Sequence, residues 1–265
     1  MFGTVMKHEI RGTSNGLGVI AGASVGVFAT GALMAWLFDA LLVPGLVLGI
    51  LAVAALPLGS MIYLLYSYYQ TMVGRIGYFT MSLPVRGRVV YAAKVTWAMI
   101  VVLVTYALSA GGLLVLRELS GSGPPLSELL AAMLDMGATP IVVTVVLIVV
   151  AQALLLVVQG AFVVSYGSTT RFAHMGIGGP VVVGAVTYLV SQVVVLAAIV
   201  FVPLGIVVKG PGFGTIVGQG MLSMMGSTRP AVEVLGLGML PAFALLGAVC
   251  IVWTIRSIER HTSLR

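Results

Sequence analysis

Six apolar runs, each long enough to cross a lipid bilayer as a helix, constrain the fold of this chain more than any other feature. The hydrocarbon core of a bilayer is about 30 Å thick, and a helix needs about 20 apolar residues to cross it. The runs are continuous rather than alternating, which favours helices over a β-barrel. The sequence therefore predicts an all-α integral membrane protein with a single membrane domain. The predicted spans cover roughly residues 17–38, 46–69, 94–116, 139–165, 178–203 and 235–255.

Composition agrees with a membrane protein. Only 8% of the 265 residues are charged, whereas soluble domains have about 25%. Cys250 is the only cysteine, so an intrachain disulfide and zinc sites built on two or more cysteines are excluded. The three histidines lie in separate polar segments, no His-Glu-x-x-His signature occurs, and we predict neither a metal site nor catalysis by this chain.

The distribution of Lys and Arg predicts the orientation. If the N-terminus is cytoplasmic, ten of the 13 basic residues lie on the cytoplasmic side and three on the outer side. This positive-inside bias places both termini in the cytoplasm and the protein in the cytoplasmic (inner) membrane. The same bias explains the net charge of +6, because basic residues on the cytoplasmic side face the anionic lipid surface. We therefore do not expect nucleic acid as a partner.

Three segments outside the spans carry further expectations. In residues 1–15, Phe2, Met6 and Ile10 recur at helical spacing, which predicts a short helix in the cytoplasmic interface; the alternative is a solvated tail. Residues 126–136 suit a short helix in an outer loop. The Gly-rich outer segment 204–234 is either a re-entrant pair of short helices, shielded by protein, or a surface loop.

Polar side chains inside the spans form a candidate substrate path. Buried amides and hydroxyls in hydrocarbon face protein or a water-filled route, so they either join helices by hydrogen bonds or line a translocation path. The spans carry no deeply placed charge, which argues against a proton- or sodium-driven carrier. The candidate path residues are Ser109, Gln152, Gln159, Tyr188 and Gln192.

A stripe of small residues marks the first span. Gly18, Gly22 and Gly26 recur every four residues and so share one face of a helix. Small residues allow two helices to approach closely in lipid. The stripe therefore predicts either a dimer interface or packing against another helix of the same chain.

The connection between the second and third spans, residues 75–93, is basic and aromatic. Arg86, Arg88 and the following Lys94 would sit near the lipid headgroups, with Lys94 snorkelling from the start of the third span. An ordinary basic loop would explain these charges through attraction to anionic lipid. It would not explain the spacing of Gly-Tyr-Phe, Leu-Pro-Val and the Lys.

The stretch Gly77-Tyr-Phe-Thr-Met-Ser-Leu-Pro-Val-Arg86 followed by Lys94 resembles a signature of the permease subunits of type-2 ABC exporters. The layout of spans and termini is similar as well. The resemblance implies that the segment is a coupling helix docked on a separate ATPase subunit. It assigns docking to Tyr78, Phe79, Leu83 and Pro84, and positioning at the membrane to Arg86, Arg88 and Lys94. Gly87-Arg88 departs from the polar run of many members.

This resemblance implies a non-catalytic permease that moves an amphiphile outward: a lipid, a peptide or a hydrophobic drug. Its partners would be the ATPase, which would hold ATP and Mg²⁺, a second permease copy or paralogue, and membrane lipids. The chain has no Gly-x-x-x-x-Gly-Lys-Ser/Thr loop and no cofactor of its own is expected. The alternatives are a secondary carrier or channel without an ATPase, and a non-transporting immunity or assembly factor.

Overall fold

A computed structural model describes residues 2–74, 86–121, 123–169, 172, 175–176, 178–209, 212–218 and 233–260. Six of its helices are long and apolar enough to cross a membrane, and each predicted span has its helix, so a multi-pass membrane protein is confirmed. The helices are α1 (Phe2–Leu37), α2 (Leu42–Met72), α3 (Gly87–Leu119), α4 (Leu126–Asp135), α5 (Thr139–Gly167), α6 (Gly178–Phe201) and α7 (Met239–Arg260), and the strands are β1 (Gly205–Lys209), β2 (Ile216–Val217) and β3 (Glu233–Gly236).

The chain divides into two compact units. The first contains α1, α2, α3 and the end of α7 from Ile255. The second contains α5, α6, the strands, most of α4 and the rest of α7.

Glycines bring α1 and α2 together almost backbone to backbone in the first unit. A single 3-10 turn, Asp39–Leu41, joins the two helices and makes them antiparallel. A Cβ atom at Gly31 would lie 2.7 Å from the carbonyl oxygen of Gly45 and 2.8 Å from the amide nitrogen of Gly49. Only glycine fits at such a crossing, and close approach of this kind provides the packing that holds helices together in lipid.

The third helix of this unit, α3, packs against both α1 and α2. The hydroxyl of Ser109 donates a 2.9 Å hydrogen bond to the carbonyl of Val53 on α2. Gly112 faces Val53 and, on α1, Phe28. The three helices therefore share one interior, and α3 runs antiparallel to α2 and parallel to α1.

The first helix is longer than a membrane span. It has 36 residues and is about 54 Å long at 1.5 Å per residue, against a hydrocarbon core of about 30 Å. The residues of the predicted interfacial helix are helical, but they continue directly into the first span rather than forming a separate element. Where this end lies relative to a membrane interface stays a prediction.

The second unit is built on the antiparallel pair α5 and α6. Gly167 sits so close to Pro180 that a Cβ atom there would lie 2.5 Å from the Pro180 Cα. The rings of Phe162 and Tyr166 stack on α5 with centroids 5.4 Å apart, and Trp253 of α7 lies 6.2 Å from the Phe162 ring. Trp253 therefore places α7 beside the face of α5 that carries Phe162 and Tyr166.

Part of segment 204–234, which was predicted to lie on the outer side, forms a small antiparallel sheet ordered β2-β1-β3. The sequence did not predict this sheet. Ile206 and Val207 of β1 are almost completely buried. Their β-branched side chains favour a strand, and Gly212, with φ +84°, turns the chain toward β2. The described part of this segment thus contains strands and no helix; residues 210–211 and 219–232 of the proposed re-entrant pair lie outside the described residues.

Candidate functional site

The predicted coupling segment connects the end of α2 to the start of α3. Tyr78, Phe79, Leu83 and Pro84 lie outside the described residues. Arg86 precedes α3 in an extended conformation, and its carbonyl accepts a 2.8 Å bond from the Val89 amide as the helix begins. Arg86 and Arg88 are both exposed. Their guanidinium groups are therefore accessible to a phosphate or a carboxylate, whether of lipid or of protein.

Lys94 is placed differently from the prediction. It lies two turns inside α3, and its ammonium group forms an ion pair with the Glu9 carboxylate of α1 instead of reaching toward headgroups. The side chains are only 5% and 14% exposed. An unpaired charge at such a place would be costly, so each group depends on the other for compensation.

One turn further along, a second polar contact joins the same two helices. The indole Nε1–H of Trp97 donates a 2.8 Å hydrogen bond to the hydroxyl oxygen of Thr13. The Thr13 hydroxyl in turn donates a 2.8 Å bond to the carbonyl of Glu9. Glu9 and Thr13 on α1, and Lys94 and Trp97 on α3, form what we call the polar clasp.

The clasp keeps α1 and α3 in one parallel register. The residue numbers of its two pairs differ by 85 and 84. Phe28 and Gly112, which also face each other, differ by 84 as well (112 minus 28). The same offset therefore persists over about 19 residues, or roughly 28 Å of helix. These contacts thus join α1 and α3 over nearly the thickness of a bilayer core.

Helix α2 contacts α1 close to the clasp, and α7 contacts the start of α3. The Tyr63 ring of α2 packs directly on Gly16 of α1, so that a Cβ atom at Gly16 would require the ring to shift. At the start of α3, a Cβ atom on Gly87 would lie 2.7 Å from the Ile258 Cγ2 of α7. The first turns of α3 thus contact α7 at Gly87 and α1 at Lys94, immediately after the predicted coupling segment.

The structure places the predicted path residues in separate surroundings. Ser109 is buried and bonded to α2. Gln159 donates a 2.7 Å bond to the hydroxyl of Ser191, which itself donates to the Thr187 carbonyl. Ser109 and Gln159 therefore form interhelical hydrogen bonds, the predicted alternative to lining a path.

The other three candidates form no interhelical hydrogen bond with the part of the chain that the structure describes. Gln152 is half-buried on α5, and Tyr188 and Gln192 are exposed on one side of α6. A substrate path through these residues stays a prediction.

The glycine stripe of α1 does not contact another helix in the described part of the chain. Gly18, Gly22 and Gly26 are exposed, and nothing lies within 4 Å of a Cβ atom built on any of them. The close crossing with α2 uses Gly16 and Gly31 instead. The stripe is therefore open to lipid or to a second protein.

Sequence reasoning missed Glu9, Thr13 and Trp97. The only local sign of a role for Glu9 is that this acidic residue lies between two basic ones, Lys7 and Arg11. Its partner lies 85 residues away, and no pattern within one helix could identify it. Among the described residues, no group of three or more His, Cys, Asp or Glu side chains is placed to hold a metal ion.

The chain was compared with known protein families, curated proteins and solved structures. No family model matches the chain, and no curated protein or solved structure is significantly similar to it.

Proposed function

We propose that this chain is the membrane-spanning permease subunit of an ATP-driven exporter of the type-2 ABC class. The observation that carries the proposal is the motif Gly77–Arg86 with Lys94 eight residues on, between the second and third of six spans. The substrate class is an amphiphile: a lipid, a peptide or a hydrophobic drug. A separate ATPase subunit binds ATP and Mg²⁺ and docks on residues 75–93.

The polar clasp supports a mechanical role for this region. A force applied by an ATPase to the coupling segment reaches α3 first, because Arg86 and Gly87 lead directly into that helix. The ion pair between Lys94 and Glu9, with the Trp97–Thr13 bond beside it, then carries the displacement to α1. Two spans would thus move together when the ATPase changes shape, and this motion would open the path outward.

The open glycine stripe supports pairing with a second copy or a paralogue. Gly18, Gly22 and Gly26 leave a shallow face on α1 that another helix can approach closely. Exposed Tyr188 and Gln192 on α6 are the path residues that a substrate between two subunits would contact.

The test combines purification with a matched pair of variants. The full chain is isolated from native membranes, the bound ATPase is identified by mass spectrometry, and both are reconstituted in vesicles. Leu83→Asp with Pro84→Ala alters the predicted docking residues. Leu204→Asp with Pro203→Ala makes the same chemical changes at two exposed positions on the predicted outer side.

We expect the docking variant to lose ATPase binding by about tenfold or more, since removing central contacts of an interface costs at least about 1.4 kcal/mol. Amphiphile-stimulated hydrolysis should fall with it, while the control variant keeps both. A chain that never co-purifies with an ATPase, or a docking variant that still transports, would instead favour a carrier or channel. Hydrolysis that ignores every amphiphile tried, with none moved, would favour an assembly or immunity role.

A further inference from the structure

The short helix α4 has one apolar face that packs poorly against the protein. Leu130 and Leu134 are 51% and 66% exposed, and no residue of α4 is buried. Leu126, Leu129 and Met133 fall on the same side at helical spacing. Glu128 and Asp135 lie on the other side and are exposed. In water, this face would leave several large apolar side chains uncovered.

The beginning of α4 is tied to the end of α3. The Glu118 carboxylate accepts a 3.0 Å hydrogen bond from the Leu126 amide, one of the N–H groups that a helix cannot satisfy internally. The guanidinium of Arg117 donates a 2.6 Å bond to the Pro124 carbonyl and contacts Glu118 at 3.3 Å. The loop between the two helices is thereby folded back on α3.

The other end of α4 turns directly into α5. The amide of Ala138 donates a 2.8 Å bond to the Met133 carbonyl, and the amide of Gly137 donates a 3.0 Å bond to the Leu134 carbonyl. Gly137 adopts φ +67°, as the residue after a helix does in this pattern of bonds. Thr139 then begins α5. Both ends of α4 therefore lie within a few residues of a membrane-spanning helix.

We propose that α4 lies along the membrane surface with its Leu126–Leu129–Leu130–Met133–Leu134 face inserted among the lipids. We take bilayer lipid as the occupant because the helices before and after α4 in the chain, α3 and α5, are both apolar enough to cross a membrane. Each also has exposed apolar side chains at the end nearer α4 in sequence: Leu113 and Leu114 on α3, and Val142 and Val143 on α5. An amphipathic helix of this kind sits about 5–10 Å into the headgroup and acyl-chain boundary.

The experiment measures lipid contact at single positions of the intact protein. Cys250 is the only cysteine, so Cys250→Ala gives a background for single-cysteine variants. Leu130→Cys and Leu134→Cys report on the apolar face. Glu128→Cys and Ala131→Cys are matched controls on the polar face. All four positions are exposed, so the fold should tolerate each change. Each cysteine is labelled with an environment-sensitive fluorophore, and the protein is reconstituted in phosphatidylcholine nanodiscs with or without doxyl-labelled lipid.

Doxyl groups near the headgroups should quench the label at positions 130 and 134 about twofold or more strongly than at 128 and 131, because only the apolar face enters the lipid. Doxyl groups near the chain ends should quench less. Equal quenching on both faces would overturn the proposal. So would a blue-shifted but unquenched label at 130 and 134, which would indicate a protein cover such as a second copy of the chain. Neither result depends on whether an ATPase binds.

Discussion

Breaking the ion pair between Glu9 and Lys94 should destabilise the first unit far more than neutralising both members at once. In Glu9→Gln the ammonium group of Lys94, on a side chain only 5% exposed, loses its counter-charge. In Lys94→Met the Glu9 carboxylate, 14% exposed, is left alone. In the double variant Glu9→Gln with Lys94→Met, neither charge remains.

The magnitudes follow from burial. Removing one partner of a buried ion pair costs about 3–5 kcal/mol, whereas replacing the whole pair by uncharged groups of similar size is often neutral or stabilising. We expect each single variant to lose about 3 kcal/mol of unfolding free energy, since Gln keeps an acceptor and Glu9 keeps some contact with solvent. The double variant should lie within about 1 kcal/mol of the wild type, so that the coupling between the sites is at least about 5 kcal/mol.

The assay is a double-mutant cycle on the whole protein in mixed micelles, with SDS titration followed by circular dichroism. A second cycle on Arg117 and Glu118 serves as the control. Their side chains are 26% and 49% exposed, and such a surface pair should show a coupling below about 1 kcal/mol. Additive effects of Glu9→Gln and Lys94→Met, or equal coupling in both cycles, would refute the argument that burial makes this pair interdependent.

Two further outcomes are expected in the same assay. Gly31→Ala should lower the unfolding free energy by about 1–3 kcal/mol, because its Cβ atom would meet backbone atoms of α2. Gly22→Ala is the control and should be neutral or stabilising, because nothing lies within 4 Å of its Cβ atom. A similar loss in both variants would contradict the helix crossing. Thr13→Val should cost about 1–3 kcal/mol because it leaves the Trp97 indole N–H without its acceptor. Thr30→Val is its control, since the exposed Thr30 hydroxyl donates only to a carbonyl four residues earlier, and an equal effect would show that the tertiary bond contributes nothing.

The spans could be predicted because the signal is local. A run of about 20 apolar residues is unstable in water and is the length of a membrane-crossing helix, whatever the rest of the chain does. The small sheet was missed for a related reason. Ile206, Val207 and Val208 form only a short β-branched run, and a strand of this length is stable only when its partner strands are supplied from elsewhere in the chain.

The surroundings of the candidate site residues were harder to predict from the sequence than the spans. Arg86 and Arg88 are exposed, as a positioning role at the membrane surface requires. Lys94 was expected at the surface because the sequence shows a basic residue at the start of a span, and it shows nothing of Glu9 approaching from α1. Whether such a lysine snorkels or pairs depends on which residue another helix presents to it.

The amino-acid sequence by itself determined that this protein crosses a membrane with six helices, because span length and hydrophobicity are properties of contiguous residues. Only the tertiary structure decided which face of each helix is used. Gly18, Gly22 and Gly26 have the regular spacing, yet Gly16 and Gly31 make the close contacts with α2. The rotation of a helix about its axis is set by all of its packing contacts together, and α1 turns the face with Glu9 and Thr13 toward α3. The polar clasp that follows from this rotation joins residues whose numbers differ by 84 and 85.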